Sequence, residues 1–142
     1  MQHSTTVQGH LAMGLVVSPE LTFSIVVDLE YAPGDPYAVR FTFHLPGDQP
    51  VTWVFARELL LDGLSRPSGE GDVHIHPYGE ELTEVCLVLR APGGDAVLRS
   101  SAAPLIAFLA RTDRLVPMGQ EITTRELDAQ LADILSGRGH AG

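Results

Sequence analysis

The 142-residue chain carries 18 acidic against 9 basic residues, a formal net charge of -9, and all the basic residues are arginines. So acidic a chain with its arginines scattered argues against a protein that holds nucleic acid through many phosphate contacts. A hydrophobic fraction of 44% with only 19% charged residues argues against disorder. It supports one α+β domain over residues 1–142, with an ordered core over about residues 10–136 and a flexible tail at 137–142.

The opening MQHSTTVQGHLAMGLVV lacks a basic n-region, and no run approaches the roughly 18 to 20 apolar residues that cross a bilayer. Cys86 is the only cysteine, so no intrachain disulfide forms. A cytoplasmic protein is expected.

Period-two alternation dominates the first half. Leu11, Met13, Leu15 and Val17 share one strand face; after Ser18, Pro19 and Glu20, a second strand follows with Leu21, Phe23, Ile25, Val27, Leu29 and Tyr31 toward the core. APGD at 32–35 turns the chain into a third strand, with Tyr37, Val39, Phe41, Phe43 and Leu45 inward. PGDQP at 46–50 leads to a fourth, with Val51, Trp53 and Phe55 inward. Short Gly/Pro turns join neighbours without a crossover, so the four strands are antiparallel.

The period then changes. Phe55, Leu59, Leu60 and Leu64 recur at helical spacing, and Gly63 supplies a stop. SRPSGEGD at 65–72 is expected to be a loop, followed by strands near 72–77, 83–90 and 95–100, the last two joined by the hairpin turn APGGD at 91–95. Ser100 and Ser101 can cap a helix with Pro104 in its first turn that buries Leu105, Phe108, Leu109 and Thr112, and Pro117 closes the region. A final helix opens on the capping box Thr123/Glu126, with Ile122 stapled to Leu127 and a buried stripe of Leu127, Leu131, Ile134 and Leu135. Seven strands with helices after the fourth and seventh give two unequal sheet-then-helix halves, an antiparallel barrel-like sheet with a C-terminal helix.

Few side chains suggest chemistry. His74 and His76 flank Ile75, and Glu80 follows, which is the spacing of a cupin-like metal-binding barrel. The glycine such a barrel wants six positions before the first histidine is Ser68 here, and the only histidine downstream is His140. Both imidazoles are therefore expected on the solvent side of a strand, and no metal, cofactor or catalytic residue is assigned. Cys86 has no base nearby in sequence and is expected to be a buried thiol. Gly69-x-Gly71 lies between helix and strand, the reverse of a dinucleotide loop, and Glu70 and Asp72 would repel a pyrophosphate. Glu80, Glu81 and Glu84 form an exposed charge cluster. The aromatics from Phe23 to Phe55 could stack bases on a sheet, but their alternation with polar residues assigns them to a core. Val16, Val26 and Val54 fall on outer strand faces, which calls for partial cover by a helix or a second subunit.

DPYAVRFTFH (35–44), WVFARELLLDGLSRPSGEGDVHIHP (53–77) and FLARTDRLVPMGQE (108–121) resemble the SsgA-like proteins of sporulating actinobacteria, most closely the SsgB branch. The resemblance spans about residues 10–136. It implies a whirly-like fold assembled as a trimer. It further implies a non-enzymatic adaptor in sporulation-specific cell division that marks septum sites and recruits the tubulin-like GTPase FtsZ, with an SsgA-type protein as partner. Whirly-type relatives include single-stranded nucleic-acid binders, the alternative that the acidic balance opposes. For a partner-binding surface, the turn VPMGQE is the candidate, in particular Pro117, Met118, Gly119 and Gln120: proline fixes the backbone there, glycine tolerates unusual dihedrals, and loops on rigid scaffolds carry function.

Overall fold

The computed structural model describes residues 6–121 and 133–135. The described residues form one eight-stranded antiparallel sheet and two helices. In chain order these are β1 (Val7–Ser18), β2 (Leu21–Tyr31), β3 (Ala38–His44), β4 (Val51–Ala56), α1 (Arg57–Gly63), β5 (Ser68–Glu70), β6 (Val73–Tyr78), β7 (Glu84–Ala91), β8 (Gly94–Ser101) and α2 (Ala102–Leu115). Residues 133–135 are also helical. The sheet runs β4-β3-β2-β1-β8-β7-β6-β5, so each half is a four-stranded meander followed by its helix.

The halves meet along a short seam. β1 pairs with β8 only through Gly14, Leu15 and Val16 opposite Arg99, Leu98 and Val97, whereas β1 and β2 stay in register from Val7 opposite Tyr31 to Val16 opposite Thr22. A sheet that twists and is hinged at so short a ladder curls on itself, and the result is a half-barrel. Val27, Leu29, Tyr31, Val39, Phe41 and Phe55 line its concave face in one half and Val73, Ile75, Val85, Leu87 and Leu98 in the other. Leu59 and Leu60 of α1 and Leu105, Phe108 and Leu109 of α2 belong to the same core cluster. The four residues expected to be buried by α2 are all buried.

The sheet has eight strands where seven are expected, because the segment read as a loop contains β5. Three residues with a central glycine carry no period-two signal, yet Ser68, Gly69 and Glu70 pair with Ile75, His74 and Val73. Gly69 is required by packing: a Cβ there would come within 2.3 Å of the His74 ring. Gly63 is likewise needed for contact, since an added Cβ would meet Ile75 at 2.4 Å where α1 lies on β6.

Five inward expectations fail at the ends of strands, among them Val51, 41% exposed at the first position of β4. Tyr37 is 57% exposed because it belongs to the turn before β3, and Pro36 is buried instead, its carbonyl accepting the Tyr31 hydroxyl at 3.0 Å. Val17 sits at a register shift between Val16 and Ser18, and it is exposed together with Leu21 and Phe23 at the far end of the first hairpin. Alternation persists there, but neither α1 nor α2 reaches that end to cover it. Beside it, Leu15, Ile25, Phe43, Leu45, Trp53 and Leu98 line an apolar cavity of about 200 Å³. Val26 and Val54 are exposed on outer strand faces, as their register requires.

Ser101 holds the N-cap position of α2, but its side chain makes no capping bond, and the free amide of Ala102 donates instead to the Thr83 carbonyl at 2.9 Å. The Thr123/Glu126 capping box, the Ile122–Leu127 staple, Leu127, Leu131 and the tail 137–142 lie outside the described residues. Ile134 and Leu135, expected in a buried stripe, are 54% and 85% exposed.

Candidate partner-binding turn

The turn after α2 is held by a buried cation. Arg57, the first residue of α1, is fully buried. One terminal nitrogen, Nη1, donates to the Val116 carbonyl at 2.7 Å, the Thr112 carbonyl at 3.2 Å and Thr112 Oγ1 at 3.4 Å. The other, Nη2, donates to Glu121 Oε2 at 2.6 Å. Beneath the guanidinium lies the Tyr31 ring, 4.7 Å from Arg57 Cζ to the centroid. A buried charge is tolerated only when paired and hydrogen-bonded, and here one side chain supplies both conditions while gripping each end of the turn. Arg57 Nε is left without a partner among the described residues.

Between these two grips the backbone organises itself. The Gln120 amide donates to the Pro117 carbonyl at 2.9 Å, and Gly119 has φ +88, the positive angle that the third position of a type II turn demands. The Met118 amide donates to Asp113 Oδ1 at 2.9 Å, and the Val116 amide closes the end of α2 on the Thr112 carbonyl at 2.8 Å. Pro117, Gly119 and Gln120 are exposed while Met118 is half-buried. Nothing lies within 4 Å of a Cβ built on Gly119. The four candidate residues thus form one ordered, outward-facing turn.

The electrostatics follow from the clamp. The hydrogen bond from Arg57 holds the Glu121 carboxyl below its ordinary pKa of 4.5, against the opposing effect of burial. Burial raises the Tyr31 phenol above its usual 10.0, with Arg57 pulling the other way. Both groups are charged or neutral as the clamp needs near neutrality.

Met118 also lines an apolar groove of about 330 Å³ between α1 and α2, with Leu61, Leu64, Ile106, Leu109 and Ala110; Asp113 is its one acid. Leu61 is 41% and Ile106 54% exposed. The second half of the sheet offers less. His74 and His76 are half-buried, not on a fully solvated face: the His74 ring packs on Gly69, and His76 Nδ1 lies 2.9 Å from the Pro77 carbonyl. Among the described residues no three His, Cys, Asp or Glu side chains are grouped to hold a metal. Cys86 is buried, and desolvation raises its thiol pKa, opposed by the neighbouring Arg99. Arg99 in turn lies over the Tyr78 ring at 4.3 Å. Glu80, Glu81 and Glu84 are exposed.

Arg57 itself has no place among the sequence candidates. Its position, three and seven residues before Leu60 and Leu64, is on the helical stripe, which is the one signal that could have marked it as buried. Its partner Glu121 is 64 residues away in the chain, a pairing no local pattern carries.

Among the described residues the fold is a curled antiparallel half-barrel with two helices, and its candidate site is an exposed turn. The family model described as "Streptomyces sporulation and cell division protein, SsgA" matches residues 25–121, and the chain belongs to that family. The chain is 44% identical over 136 residues to the sporulation-specific cell division protein SsgB of Streptomyces coelicolor, covering 94% of this chain and 98% of the relative. It is 42% identical to SsgB of Thermobifida fusca, covering 93% and 96%. A solved structure from work on SsgB mutations that correlate to longitudinal cell division during sporulation of Streptomyces coelicolor superposes with a TM-score of 0.79 at 44% identity, covering 85% of this chain and 96% of the other. The SsgA-like sporulation-specific cell division protein from Thermobifida fusca gives 0.82 at 40% identity, covering 94% and 98%. These relatives place the chain in cell division, in a family of sporulation proteins, not a known enzyme family.

Proposed function

We propose that this protein is a non-enzymatic cytoplasmic adaptor of sporulation-specific cell division, which marks septum sites and recruits FtsZ, with an SsgA-type protein as a second partner. The reading starts from the 44% identity to an SsgB protein across almost the whole of both chains. It fits a domain that presents an exposed, hydrogen-bonded turn at residues 117–120, gripped on both sides by Arg57. A turn ordered before it meets a partner loses little conformational entropy on docking, so even a small contact retains useful affinity.

The adaptor acts as a trimer. Three copies of a weak surface on one particle raise the effective concentration of each for a filament, and a trimer can tether several filaments without a strong individual contact. No helix among the described residues is long and apolar enough to cross a membrane, and membrane association through partners is part of the proposed reading. Co-sedimentation with polymerised FtsZ tests the reading: the protein is expected in the pellet with polymer and in the supernatant without it. Equal distribution in both conditions overturns the proposed recruitment.

A further inference from the structure

The half-barrel has one end served by its helices and one end left open. β1–β2, β3–β4 and β7–β8 turn at residues 19–20, 45–50 and 92–93, and the register of the sheet brings these three turns to the same end. α1 and α2 leave β4 and β8 at the other end, where Arg57 fixes the turn 117–120. At the open end, Ile25, Phe43 and Trp53 of the first half and Leu89, Ala91 and Ala96 of the second line the apolar cavity of about 200 Å³. The two alanines are too short to close it. Beside the cavity the apolar surface continues through Val17, Leu21, Phe23 and Val51, all exposed. In and next to the turns stand the exposed acids Glu20, Asp48 and Asp95, and Arg90, opposite Asp95 in the β7–β8 ladder, is the only arginine among the described residues there.

We propose that this mouth docks a segment of a partner protein that offers one bulky aliphatic or aromatic side chain flanked by lysine or arginine. An apolar cavity of this size stays dry and takes a single hydrocarbon group, which is what an anchoring side chain supplies. The acidic rim meets the flanking cations, and the same rim repels a fatty acid or another anionic amphiphile. The exposed apolar collar decides between a polypeptide and a free small molecule. A molecule that only fills the cavity leaves Val17, Leu21 and Phe23 bare, whereas a peptide covers anchor pocket and collar together and brings its own polar rim.

This mouth and the turn at 117–120 lie at opposite ends of the half-barrel and share no side chain, so one molecule holds two different partners at once. The mouth keeps its chemistry whatever the turn binds.

Selection from a random dodecapeptide library displayed on phage, with immobilised wild type as bait, tests the proposal. Enriched peptides are expected to share a bulky apolar residue with lysine or arginine beside it. Trp53 is the only tryptophan of the chain and lines the cavity, so its emission locates the binding. A synthetic copy of an enriched peptide should shift that emission to shorter wavelength in a saturable way. Ala96→Phe fills the cavity, and Glu20→Lys combined with Asp48→Lys reverses the rim at two exposed positions. Both variants should keep the wild-type far-UV circular dichroism while affinity for the peptide falls about tenfold or more. Should Ala96→Phe misfold, the rim variant and Phe23→Ser, at an exposed collar position, carry the same expectation. No enrichment, enriched peptides without basic residues, undiminished binding to the folded variants, or binding that leaves Trp53 emission unmoved overturns the proposal. Octanoate that saturates the Trp53 shift as tightly as the peptide makes the mouth a small-molecule site and overturns it too. So does Trp53 emission that moves with protein concentration in the absence of peptide, which gives the mouth to a second copy of the chain.

Discussion

Arg57 concentrates the electrostatics of the molecule in one side chain. Replacing it by alanine takes the donor from the Val116 carbonyl and the cation from the Glu121 carboxylate at once, and breaking a buried pair in this way costs about 3–5 kcal/mol. Urea unfolding of Arg57→Ala is expected to show a loss in that range. Glu121→Gln keeps the shape and removes one charge-assisted bond, with an expected loss of about 1.5–3 kcal/mol at pH 7. The sign of its pH dependence follows from the depressed Glu121 pKa. The carboxylate contributes fully above its ordinary 4.5, and the contribution fades as pH falls through that value and on through the lower pKa of the folded state. The gap between wild type and Glu121→Gln should therefore narrow in acid unfolding below about pH 4.5, and a gap constant with pH would remove Glu121 as the ionised partner. Local pattern could not reveal this clamp, because hydrophobic periodicity assigns a charged residue to the outside unless its partner is known, and the partner here comes from the far end of α2.

At the scale of elements, alternation and turn residues disclosed most of the fold. β2, β3 and β4, the Pro92–Gly93 tip between β7 and β8, and the buried face of α2 follow from period and punctuation alone. Such signals tell which residues share a face; they do not tell where the covering layer ends. Phe23, Leu21 and Val17 are in phase with buried neighbours and still exposed, since the helices sit over other parts of the sheet. β5 was hidden for a different reason: a strand of three residues lacks a full period, and its cause is the fit of Gly69 against His74. Glycines at close approaches yield a prediction of their own. In Gly63→Ala, the new methyl collides with the Ile75 side chain 2.4 Å away and must push α1 off β6, an overpacking cost of about 1–3 kcal/mol. A midpoint in thermal unfolding equal to wild type would show that the α1–β6 contact yields freely.

For the whole molecule, two meanders, each closed by a helix, bring the end of α2 against the start of α1, so that a residue from the first half fixes a turn in the second. That long-range grip is the part of the candidate site that sequence left unread, although the turn itself was legible from its proline and glycine. The consequence for function rests on the shape and order of residues 117–120. At Gly119 an added Cβ meets nothing within 4 Å, and the φ of +88 strains a larger residue by about 1–2 kcal/mol, so Gly119→Trp should leave the domain folded while the turn presents a different surface. The most direct measurement is co-sedimentation of wild type and Gly119→Trp, side by side, with polymerised FtsZ. The account predicts that wild type pellets with the polymer and that the folded variant stays in the supernatant. Equal pelleting of the two, or no pelleting of wild type, would contradict it.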